Sequence, residues 1–83
     1  MTNDRMLRRG DLAILRNTHV TYPLGHGKSL RPFNQQFIVL QDGAGGLQLK
    51  IMTQEGWIAY ICVRMWSDFT IIQREGEGLH EAR

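Results

Sequence analysis

Leu47-Gln48-Leu49-Lys50-Ile51-Met52 is the stretch on which the fold turns. Leu47, Leu49 and Ile51 fall on one side of an extended chain, and Gln48, Lys50 and Met52 fall on the other. A period of two marks a half-buried strand, because successive strand residues point to opposite faces. On its amino-terminal side Asp42-Gly43-Ala44-Gly45-Gly46 offers glycines for positive φ and reads as a hairpin connection. Before that connection, Phe37-Ile38-Val39-Leu40 is a short apolar run bounded by turn residues. On the carboxyl side Glu55-Gly56 opens a long extended stretch through Trp66, which completes a three-stranded meander. Farther out, Leu12-Ala13-Ile14-Leu15 follows Gly10-Asp11, and Phe69-Thr70-Ile71-Ile72 follows Ser67-Asp68. Nowhere do about ten consecutive residues read as a capped amphipathic helix.

Five strands joined mostly by short turns, with one long connection from Asn17 to Asn34, imply an all-β domain. The expected form is a strongly bent, five-stranded antiparallel sheet or barrel. Its core should draw on Leu12, Ile14, Phe37, Val39, Leu47, Leu49, Ile51, Trp57, Ile61, Val63, Phe69 and Ile71. Residues 7–73 form the single domain, and the polar segments 1–6 and 74–83 should fray.

A chain of 83 residues holds one core, and a domain of this size hides only about 60% of its unfolded surface. Help from a second copy follows as an expectation. The longest apolar run, Ile58 to Val63, is far shorter than the ~18 residues that a membrane helix needs. A soluble, cytoplasmic protein is expected. The single cysteine, Cys62, can neither staple the fold nor build a thiolate metal site alone. It sits mid-strand with no helix amino terminus nearby to activate it as a nucleophile.

The net charge of +2 is unevenly spread. Residues 1–33 hold Arg5, Arg8, Arg9, Arg16, Lys28 and Arg31 against Asp4 and Asp11, which is +4, while 34–73 and 74–83 are each −1. A basic front half suits phosphate or an acidic protein surface, and it also suits an ordinary solvated face.

The long first connection concentrates His19, Tyr22, His26, Lys28, Arg31 and Phe33. Loops of this length often carry function. The same segment could instead be a lid on the barrel, with Tyr22, Leu24, Leu30 and Phe33 turned inward. His19, His26 and Asp11 lack ligand spacing, so no metal is expected. Between Gly56 and Trp66 the charge-free set Trp57, Ala59, Ile61, Val63 and Met65 is the natural inner face. Tyr60, Arg64 and Trp66 then fall outside with Ile58 and Cys62, as a stacking platform or a self-association strip. The candidate partner-binding residues are therefore Tyr22, His26, Lys28, Arg31, Tyr60, Arg64 and Trp66.

The order of elements resembles the SH3-like small β-barrel superfamily over residues 7–73: an Arg9-Gly10-Asp11 turn and strand, a long first loop, a meander and a short last strand. Three places are also similar to endoribonuclease toxins of the MazF/PemK type. They are Arg9-Gly10-Asp11, Lys28-Ser29-Leu30-Arg31-Pro32, and Val63-Arg64 followed by Asp68. In that family an arginine followed by threonine or serine stabilises the transition state of RNA cleavage, which implies a role for Arg64. Met65 stands where the hydroxyl is required, and Phe33 to Gln36 separate Pro32 from the next strand. The reading reached is a non-catalytic SH3-like interaction module, self-associating, without cofactor or metal. The alternatives are a nucleic-acid-binding module using the basic half and a toxin-like ribonuclease.

Overall fold

The structure, a computed structural model, describes residues 6–43 and 47–74. Seven strands follow in order: β1 (Leu12–Leu15), β2 (Tyr22–Gly25), β3 (Lys28–Leu30), β4 (Gln36–Asp42), β5 (Gln48–Thr53), β6 (Ile58–Cys62) and β7 (Phe69–Gln73). A 3-10 turn, Trp66–Asp68, precedes β7. Five strands make an antiparallel sheet in the order β6-β5-β4-β1-β7, and β2 with β3 make a separate hairpin. The expected all-β class, the five strands and the meander are all present. The outer parts of the ends expected to fray, 1–5 and 75–83, lie outside the described residues. Arg74, assigned to the tail, is folded back: its guanidinium donates to Asp11 Oδ2 at 3.3 Å and to the Met6 carbonyl at 3.4 Å.

The alternation at Leu47–Met52 works as expected within β5, where Leu49, Ile51 and Thr53 are buried. β5 pairs with β4 through Val39↔Ile51 and with β6 through Ile51↔Ala59, so one row crosses the core. The hairpin between β4 and β5 closes tightly, since Gly43 N–H donates to the Gln48 carbonyl at 2.6 Å. A side chain at Gly43 would place its Cβ 2.8 Å from that carbonyl oxygen, so only glycine fits. Leu47, expected in the core, is 47% exposed. It precedes β5 and lies where the hairpin leaves the sheet.

The first strand is inverted relative to expectation. Ala13 and Leu15 are fully buried, whereas Leu12 and Ile14 are half-buried on the outer face. Every residue of Leu12–Leu15 is apolar, so no polar position marks the solvent side, and pairing with β4 and β7 decides the parity. Leu7, not expected in the core, is fully buried. Trp57 and Ile71 are only partly buried but pack against the core.

The segment 17–34 is more ordered than a loop. β2 and β3 pair antiparallel through Tyr22↔Leu30 and Pro23↔Ser29. His26 and Gly27, between Gly25 and Lys28, both have positive φ (54° and 78°). Two such residues give the tight turn whose twist matches flanking strands. Tyr22, Leu24 and Leu30 are buried, as a lid requires, and Phe33 is 61% exposed.

Candidate functional site

The site follows from which backbone groups β6 spends on its neighbour. Thr53 N–H donates to the Trp57 carbonyl at 2.9 Å, and Val63 N–H to the Leu47 carbonyl at 2.6 Å. With the register Leu49↔Ile61 and Ile51↔Ala59, the odd positions of β6 are the ones bonded to β5. The N–H and C=O groups of Ile58, Tyr60 and Cys62 therefore point the other way, towards β2.

β2 runs beside β6 without forming a ladder with it. At its start the Thr21 carbonyl accepts from Arg64 Nη2 at 2.8 Å. Pro23, two residues on, lines the groove and has no N–H to offer a ladder. Side chains join the two strands instead. Trp57 Nε1 donates to the Leu24 carbonyl at 3.2 Å, and Arg64 N–H donates to the Tyr22 hydroxyl at 3.1 Å. A groove of about 510 Å³ remains, lined by Thr21, Tyr22, Pro23, Tyr60, Cys62 and Arg64 among others.

One end of the groove is bolted by Tyr22. Its hydroxyl donates to Asp68 Oδ2 at 2.7 Å, and its ring lies 5.2 Å from that of Phe69. Asp68, itself buried, also accepts from Asn17 Nδ2 at 2.8 Å. The Arg64 guanidinium sits 4.6 Å from the Tyr22 ring centroid. Burial raises the Tyr22 pKa above its ordinary 10.0; the Arg64 N–H opposes this, and Asp68 adds to the rise. Charge, ring and carboxylate are thus satisfied by one another.

The seven residues expected to contact a partner do not form one surface. Tyr22, Tyr60 and Arg64 line the groove, with Tyr22 buried as its floor and Tyr60 64% exposed as its wall. His26 and Lys28 lie at the hairpin tip on Trp57: the His26 ring meets it edge-on at 5.4 Å, and Lys28 Nζ is 5.1 Å from its centroid. Lys28 also approaches Glu55 at 3.8 Å, an exposed pair that adds little stability. Arg31 is exposed beyond the end of β3, outside the groove lining.

Trp66 is half-buried against the core. β6 ends at Cys62 and the chain enters the 3-10 turn, so the period of two stops before Trp66. For the same reason Met65, expected inside, is exposed. Ile58, Tyr60, Cys62 and Arg64 do share the outer side, as expected. Sequence reasoning missed Thr21, Pro23, Asn17 and Asp68. Pro23 carried the usable signal, a proline in an otherwise extended segment.

A second, polar hollow of about 210 Å³ lies on the other side of Tyr60, lined by Gln41, Gly43, Gln48 and Lys50. The Tyr60 ring stands between the two, with Lys50 Nζ 6.0 Å from its centroid. No protein-family model, curated protein or solved structure matches this chain.

Proposed function

We propose that the chain is a non-catalytic protein-interaction module of SH3-like type that holds an extended segment of a protein partner in the β2–β6 groove. The observation that carries this reading is the exposed Tyr60 ring beside outward-facing backbone groups of Tyr60 and Cys62. Aromatic walls with backbone donors and acceptors suit an extended peptide, whose main chain needs bonding and whose side chains need pockets. The sheet order, the long hairpin after β1 and the 3-10 turn before β7 support the SH3-like reading.

The cations favour protein over nucleic acid. Arg64 is held by Thr21 and Tyr22, Arg16 Nε donates to the Ser67 carbonyl, and Arg74 is paired with Asp11. Only the Asp11 carboxylate cancels a charge; the carbonyl bonds leave Arg16 and Arg64 cationic and take up donors that a phosphate would need. They also hold Arg64 away from the role that a toxin-like ribonuclease would ask of it.

Recovering the partner from the native host with the full chain, then titrating it against wild type and Tyr60→Ala, tests the reading. Tyr60→Ala should weaken binding by about tenfold or more at matched folded fraction. The wild-type affinity should change little between about 50 and 200 mM salt. A steep fall with salt, with nucleic acid in the recovered material, would overturn it.

A further inference from the structure

β7 is the edge of the sheet opposite β6 and the groove. Arg16 N–H donates to the Asp68 carbonyl at 2.7 Å, and the register continues Leu15↔Phe69, Ile14↔Thr70, Ala13↔Ile71. Thr70 therefore exchanges its bonds with Ile14, while Ile71 N–H and C=O and the Phe69 C=O point away from β1. Phe69 N–H is spent on the Trp66 carbonyl. Among the described residues no strand lies beyond β7. The outward groups of Ile71 have no partner within them.

Sheet edges are commonly guarded by a lysine, a proline or a bulge in mid-strand. Phe69-Thr70-Ile71-Ile72-Gln73 contains no charge and no proline. Its one irregularity, the register shift opposite Leu12/Ala13, falls after Ile71 and leaves Phe69 to Ile71 regular. Ile72 is 44% exposed.

We propose that β7 pairs antiparallel with β7 of a second copy, about a twofold axis through Thr70 or Ile71, so that the outward-facing residues oppose one another. A second copy is the occupant because a charge-free strand placed against itself opposes no like charges. The isologous arrangement also uses the same outward Ile71 groups on both sides. With Thr70 or Ile71 on the axis, Ile71 N–H becomes a donor to the partner strand. Self-association, expected from the sequence on the Ile58–Tyr60–Cys62–Trp66 strip, is thereby assigned to the other edge, and the groove stays open for its own ligand.

Sedimentation equilibrium on the full chain tests this at protein concentrations up to about 100 μM, where weak dimers populate. The wild type should reach twice the 9.6 kDa chain mass. Ile71→Pro removes a donor that β1 does not use, and Ile72→Lys places a charge at an exposed edge position. Both should sediment as monomers while retaining a cooperative thermal transition. Should Ile71→Pro fail to fold, Ile72→Lys alone decides. A wild type that stays at 9.6 kDa throughout would overturn the inference. So would a dimer that survives Ile72→Lys and dissociates in Tyr60→Lys; that result would place the contact on β6. The first outcome leaves the peptide reading of the groove untouched, whereas the second would put another copy of this chain on Tyr60 and count against that reading as well.

Discussion

The two edges of the five-stranded sheet are built from similar residues and are treated differently. β6 (Ile58-Ala59-Tyr60-Ile61-Cys62) and β7 (Phe69-Thr70-Ile71-Ile72-Gln73) are both uncharged five-residue strands with outward-facing backbone groups. β6 is flanked by the β2–β3 hairpin, tethered through Tyr22, Leu24 and Thr21 at side-chain distance, whereas among the described residues no strand flanks β7. An edge held at arm's length becomes a groove, and a bare edge becomes a template. The difference comes from a few residues. Pro23 gives β2 no N–H for a ladder at the groove, and Asp68, just before β7, reaches across to anchor Tyr22.

That anchor is where the contrast breaks most easily. Asp68→Ala removes a buried carboxylate that serves Tyr22 and Asn17, and should cost about 2–5 kcal/mol in a chemical or thermal melt, because both donors lose their acceptor. A loss of that size frees the hairpin and threatens the whole domain. Leu15→Ala should cost about 2–5 kcal/mol by opening a cavity, and its neighbour Ile14, half-buried, should cost clearly less. Equal losses at the two positions would contradict the observed parity of β1.

Tyr22→Phe should cost about 1–3 kcal/mol, because Arg64 N–H loses its acceptor and Asp68 loses a donor. It should also change the pH dependence. The raised pKa means that the folded state keeps the Tyr22 proton after the unfolded chain, ionising near 10.0, has begun to release it. Its contribution is complete below pH 10 and fades as pH rises through the folded value. Wild-type stability should therefore drop above pH 10 more steeply than that of Tyr22→Phe, as read in urea titrations. The smallest expected effect is at the hairpin tip: Trp57→Phe removes the bond to the Leu24 carbonyl and should cost about 1 kcal/mol.

Legibility in the sequence followed polarity contrast. Leu47–Met52 could be read because charged or amide side chains mark one face, and Ile58–Arg64 because charge is absent from the other. Leu12–Leu15 has no such contrast, and its parity was set by partners remote in the chain. The β2–β3 hairpin was hidden because its strands are three or four residues long and its turn is His26-Gly27, with histidine in a conformation more often given to asparagine or glycine. Tyr22, Tyr60 and Arg64 were recognisable by residue type. Their division between floor, wall and bolt depended on Asp68 and Asn17, 51 residues apart in sequence, which no local pattern connects.

The contrast between the edges is most directly tested by amide hydrogen exchange at Tyr60 and Ile71, followed by NMR at low and high protein concentration. Both amides face away from the sheet, so both should exchange readily in dilute solution. Raising the concentration should protect Ile71 and leave Tyr60 unchanged, because the second copy adds to β7 alone. Protection of Tyr60 with concentration, or protection of Ile71 that is already full in dilute solution, would contradict the account.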